Sequence, residues 1–148
     1  MEAKQFLKQY QETLVDIRNF ESQKQELENL AMGITVSTDG ERVQSSGRKD
    51  RMAELAVKIA DAEREIMEQR TQAFHKLWEI EEVIKGVKTS DYRKILHMRY
   101  IENQTWEKIA VALNYSYQWA CKLHGRALLE VEKILRVDRS LYSKSDIV

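Results

Sequence analysis

An all-α fold follows from three features of this 148-residue sequence. It has no proline and only five glycines, 32% of its residues are charged, and apolar residues return every three or four positions over long stretches. Scarce helix breakers and abundant Glu, Lys, Gln, Leu and Ala suit long helices with solvated faces, and the three-four spacing turns one face of each toward a partner. The predicted architecture is an N-terminal long helical hairpin or coiled coil over residues 1–87, followed by a C-terminal helix-turn-helix domain of three helices over residues 88–148.

From Ala3 to about Leu30, the residues Phe6, Tyr10, Leu14, Ile17, Phe20, Leu27 and Leu30 share one helical face, with Glu, Lys and Gln between them. The seam weakens around Glu21 to Lys24, so this is an imperfect coiled-coil strand. Gly33 to Asp50 holds three of the five glycines among Ser, Thr and Asp and lacks helical periodicity. It reads as a loop, with Ile34, Thr35 and Val36 able to make a short strand contact.

Arg51 to Val87 carries the clearest pattern. Met52, Leu55, Ile59, Ala62 and Ile66 step by three and four, and after one irregular step Ala73, Leu77, Ile80, Ile84 and Val87 do the same. A lone helix of about ten turns cannot bury such a seam, so it needs a partner. That partner is the first helix folded back, a second copy of the chain, or both. The second helix is the longer, which leaves part of it for self-association through residues 1–87, with a homodimer the favoured assembly.

The formal net charge is zero, but it divides unevenly. Residues 1–87 carry 13 Lys and Arg against 17 Asp and Glu, a net −4, and residues 88–148 carry 11 against 7, a net +4. An acidic front half therefore cancels a basic back half, and the two halves are expected to do different jobs.

Gly86, Thr89 and Ser90 interrupt the long helix, and Thr89 or Ser90 supplies a side-chain oxygen to cap the next, over Asp91 to Ile101. Tyr92, Ile95, Leu96 and Tyr100 form its inner face, with Arg93, Lys94 and Arg99 outside. Glu102-Asn103-Gln104 makes a polar turn. Thr105 caps a short helix whose inner face is Ile109, Ala110 and Leu113; Asn114-Tyr115 breaks it, because Asn tolerates the left-handed conformation such a break uses. Ser116 caps a third helix, 117–137, with Ala120, Leu123, Ala127, Leu128, Val131 and Leu135 inward. The tail from Val137 has weak periodicity and is expected to fray or to dock a partner.

A short helix, a tight turn and a capped second helix are the parts of a helix-turn-helix. The outer face of the last helix opens with Tyr117, Gln118, Cys121, Lys122 and Arg126, with Trp119 at its flank and no acidic residue before Glu130. Lys122 and Arg126 suit phosphates, Gln118 has the donor and acceptor pair that reads adenine, and Tyr117 or Trp119 suits apolar base or sugar contacts. Thr105, Trp106, Lys108 and Ser116 complete the expected DNA-facing set. Trp106 and Tyr115 read equally as packing of the small core.

The run LHMRYIENQTWEKIAVALNYSYQWACKLHGRALLEVEKIL, residues 96–135, resembles region 4 of sigma-70-type RNA polymerase sigma factors. It shares the Leu-x-Met-Arg-aromatic ending of the first segment and a capped helix running into Ala-Leu, and where sigma factors have a Thr-x-x-Glu-Ile-type helix it has Thr105-Trp106-Glu107-Lys108-Ile109. It resembles more closely the small phage-associated sigma-like proteins, including late-gene activators of the ArpU type, in which Tyr-Ser and His-Gly-Arg-Ala-Leu recur. The resemblance implies a phage or prophage transcription regulator whose helix at Tyr117 reads double-stranded DNA, with Tyr117, Gln118, Cys121 and Lys122 at base-contacting positions, and RNA polymerase as a further partner. Sigma factors place Arg, Glu and Arg where this chain has Tyr117, Gln118 and Cys121, so recognition of a standard promoter element does not carry over. A terminase small subunit-like packaging component and a module that binds polymerase alone are the alternatives.

His75, His97 and His124 are widely separated and Cys121 is the single cysteine, so no spacing suits zinc. No glycine-rich phosphate loop or nucleophile elbow is present, and no metal, cofactor or enzymatic activity is expected. Met1 to Gln5 has no apolar signal core and no stretch suits a bilayer span, so a cytoplasmic protein away from membranes is expected.

Overall fold

The computed structural model describes residues 2–36 and 45–145. These form helices α1 (Ala3–Val36), α2 (Ser45–Lys85), α3 (Ser90–Leu96), α4 (Trp106–Leu113) and α5 (Tyr117–Ser145), with a π-helical segment, His97–Ile101, continuing α3. There is no strand among the described residues, so the fold class is all-α, with two long helices leading. No described helix is long and apolar enough to cross a membrane.

The long helices extend past the edges the sequence sets. Ile34, Thr35 and Val36 belong to α1, and α2 begins at Ser45, so both ends of the predicted 33–50 loop are helical; residues 37–44 lie outside the described residues. Unbroken backbone hydrogen bonding extends a helix cheaply once it exists, and this outweighs the weak propensities of Gly33, Thr35 and Gly47. The tail behaves likewise, because α5 continues through Ser145; residues 146–148 lie outside the description.

The chain divides into two compact units, Thr13–Gln72 and Met1–Glu12 with Ala73–Val148. In the first, α1 and α2 run antiparallel, as the order of their ion pairs requires: Glu21 with Arg70 at 2.9 Å, then Lys24 with Glu63 at 3.3 Å. The hydrogen bond from Lys24 to Glu63 raises the ammonium pKa above its ordinary value. Ile17 and Ile66 are the buried pair in this stretch, and Leu14, Phe20, Leu27, Met52, Leu55, Ile59 and Ala62 are half-buried around them. Leu30 is exposed, contrary to its assignment to the seam, because the covered stripe steps from Leu27 to Ala31 and Leu30 lies about 100° round the helix from Ala31.

In the second unit, the start of α1 and the end of α2 join the shorter helices. Leu7, Ile80, Val83, Ile84, Val87, Leu96, Tyr100, Ala127 and Val131 form one buried cluster, with Phe6 and Tyr10 against it. A second cluster, Ile95, Ile109 and Leu123, ties α3, α4 and α5 together. Between α2 and α3, a Cβ on Gly86 would lie 3.3 Å from Ile134 Cδ1 of α5, so its absence permits the close approach. The Arg93 guanidinium donates to the carbonyls of Val87 at 2.6 Å and Lys88 at 2.8 Å and pins this turn. Thr89 occupies the cap position of α3 in extended conformation, but its side chain makes none of the capping bonds expected of it.

The predicted helix 91–101 is α-helical only to Leu96. Its last turn is π-wound, and Gln11 of α1 donates to the carbonyls of Tyr100 at 3.1 Å and Ile101 at 3.0 Å, satisfying groups a helix end leaves open. Asn103 then adopts the left-handed conformation, φ 54°, and turns the chain toward α4.

Candidate nucleic-acid interface

The candidate interface is built from α4, a three-residue turn and the start of α5. Thr105 caps α4, its hydroxyl accepting from the Lys108 amide at 3.3 Å. At the other end, Asn114 is left-handed (φ 58°, ψ 43°), and the Tyr115 amide donates to Ala110 O at 2.9 Å while the Asn114 amide donates to Val111 O at 3.2 Å. This paired closure satisfies the last carbonyls and reverses the chain. Ser116 starts α5 by accepting from the Trp119 amide at 3.1 Å. Both break residues read from the sequence therefore do the work expected of them locally.

Burial on α5 alternates as the spacing predicts. Ala120, Leu123, Ala127 and Val131 are buried, while Tyr117, Gln118, Trp119, Lys122 and Arg126 are exposed. Cys121 is half-buried rather than fully outward. The Arg126 guanidinium lies 5.4 Å from the Trp119 ring, which orients both without covering them. Lys108 is exposed on α4, and so is Glu107, one acidic group near an otherwise basic and neutral surface.

Trp106 is held as packing. It is half-buried against Ile95, Ile109 and Leu123, its ring 4.6 Å from His124 and 4.8 Å from the Arg99 guanidinium. Arg99 also donates to Gln104 O at 3.0 Å, so the residue expected to point outward braces the turn before α4. Tyr115 packs on the same cluster and donates to Asp91 Oδ2 at 2.6 Å, a bond that raises the phenol's pKa.

Sequence reasoning missed the role of His124. Its Nε2 lies 2.7 Å from the Tyr100 hydroxyl, its ring stacks on Tyr100, and Trp106 meets it edge-on. Burial, reinforced by the charges of Lys4 and Arg99, lowers its pKa to about 4, and burial raises that of Tyr100 to about 12. Both groups are therefore neutral near pH 7, with the Tyr100 hydroxyl donating to an unprotonated Nε2. The available signal was position: His124 follows inner-face Leu123 and lies four residues from buried Ala120.

The two leading helices and the layer α3–α5 define an all-α chain that presents the opening of α5 on a packed three-helix base. It belongs to the family of proteins of unknown function DUF1492, whose model matches residues 34–132, about two thirds of the chain. No curated protein and no solved structure matches it.

Proposed function

We propose that this protein is a sequence-specific double-stranded DNA-binding transcription regulator of phage or prophage origin, placing the start of α5 in the major groove. The observation that carries the reading is the sorted face of α5. Tyr117, Gln118, Lys122 and Arg126 are exposed, Ala120, Leu123 and Ala127 anchor the opposite side, and no acidic residue precedes Glu130. Lys122, Arg126 and Lys108 meet phosphates, which sets affinity and its salt dependence. Gln118 and Tyr117 meet base edges, with Cys121 and Trp119 beside them and the capped turns at Thr105 and Ser116 against the backbone. Resemblance of residues 96–135 to sigma region 4 supports the same orientation and makes RNA polymerase a candidate partner. Self-association through residues 1–87 supplies two such helices to paired half-sites.

The test is selection of bound duplexes from a random library with the full chain, repeated for the Lys122→Ala/Arg126→Ala variant at two salt concentrations. A defined motif should be enriched, with weaker binding in the variant and a shallower salt slope. Absence of duplex binding by the wild-type chain rejects the reading.

A further inference from the structure

Helix α2 carries a second apolar stripe that its contacts with the other described residues leave open. Ala53, Ala60, Met67 and Phe74 lie seven residues apart, and Val57, Thr71 and Trp78 fall four residues after members of that series. All seven are exposed; Val57 is 61%, Met67 64%, Phe74 65% and Trp78 59% accessible. The covered seam through Leu55, Ile59, Ile66 and Ala73 occupies a different side of the same helix. A seven-residue repeat is the signature of a helix paired with another helix, and four large apolar side chains on one exposed helical stripe mark an interaction surface.

The stripe is graded in size, small at its N-terminal end and large at its C-terminal end. Parallel self-pairing would set alanine on alanine at one end and phenylalanine on phenylalanine at the other, so the two axes could not keep a common spacing of about 8–10 Å. Antiparallel self-pairing sets Ala53 opposite Phe74 of the second copy and Ala60 opposite Met67 of the second copy, small against large at each of these pairs. The same register puts Glu63 beside Arg64 of the second copy across the two-fold axis, twice, whereas parallel pairing would juxtapose like charges. It also brings Lys49 to the Trp78 ring of the second copy, a cation–aromatic contact. In the single chain Arg64 meets Asp61, 3.5 Å away on its own helix, and Glu63 meets Lys24 of α1 at 3.3 Å, so the new pairs share the Glu63 carboxylate with Lys24 and replace one exposed pair of Arg64 by another.

We infer that α2 pairs antiparallel with α2 of a second copy through the stripe Ala53–Trp78, in the register that opposes Ala60 to Met67. The inference rests on the proposed self-association, for which it names the face, direction and register; it needs no DNA.

Disulfide trapping tests it in a Cys121→Ser background. Full-length chains carrying Ala60→Cys and Met67→Cys, mixed and oxidised, should cross-link as a heterodimer, and Ala60→Cys alone should not, since its copies are separated along the axis. Cross-linking of Ala60→Cys alone overturns the direction, and no cross-linking in the mixture overturns the register. Light scattering should find a dimer that Phe74→Glu/Trp78→Glu converts to a monomer of unchanged far-UV helicity. A wild-type monomer at tens of micromolar, or a dimer indifferent to that pair, overturns the face. Duplex selection on the same wild-type sample separates the readings, because a monomer that still enriches a motif removes the dimer and leaves the DNA-binding reading.

Discussion

At the scale of single residues, His124 shows how a polar side chain is made part of a core. It hydrogen-bonds Tyr100, meets Trp106 and is held neutral, its pKa pulled down to about 4 chiefly by burial. The consequence for stability has a definite sign. Above pH 6.5 the imidazole is neutral in both folded and unfolded chains, and it adds no pH dependence. Between pH 6.5 and 4 the unfolded chain takes up a proton that the folded chain refuses, so stability falls as pH falls and levels off below 4. With allowance for solvent screening of a half-buried group, the loss is on the order of 2 kcal/mol. Urea melts at pH 7 and pH 4.5 should therefore show a larger drop for wild type than for His124→Gln; equal drops in the two proteins would remove this account. Cys121, by contrast, is simply a half-buried free thiol beside the exposed face.

Among the elements, the start of α5 depends on two neighbouring polar residues with separate duties. Asn114 takes the left-handed conformation that ends α4, and Ser116 supplies the oxygen that accepts the Trp119 amide. Ser116→Ala should destabilise the folded chain by about 1 kcal/mol. Because the exposed face begins one residue later, the same change should also weaken DNA binding, if the proposed role of α5 is right. Thermal melts and duplex titrations of this variant read the two effects separately, and an unaltered melting temperature would mean that the cap contributes nothing. The π-wound end of α3 shows the reverse dependence, since its open carbonyls are met by Gln11, distant in sequence.

For the molecule as a whole, the unit that presents α5 draws its core from both ends of the chain. Leu7, fully buried, packs in one cluster with Ile80, Leu96, Ala127 and Val131. Leu7→Ala should thus cost about 2–5 kcal/mol, as buried leucine truncations do. The loss should appear as a lower urea midpoint for the burial of Trp106, a residue about a hundred positions away in sequence. A midpoint within error of wild type would show that the first turns of α1 do not stabilise this unit. For the same reason, residues 88–148 on their own lack Leu7, Ile80, Val83, Ile84 and Val87 and leave much of that cluster open to water.

The sequence alone determined the all-α class, the long seam of α2, the caps at Thr105 and Ser116, the break at Asn114 and the buried side of α5. Each depends on helical periodicity or on hydrogen bonds made within a few residues, and both are written locally. Tertiary structure decided the rest. The chain ends of the predicted 33–50 loop became helix because propagation outweighs a few poor helix formers. Leu7 became core, and Arg99, Trp106 and His124 became a packed cluster, because burial depends on which surfaces meet, and residues distant in sequence supply those surfaces. The stripe Ala53–Trp78 lay in the sequence throughout, but only the covered seam beside it distinguished the face that packs within the chain from the face left open.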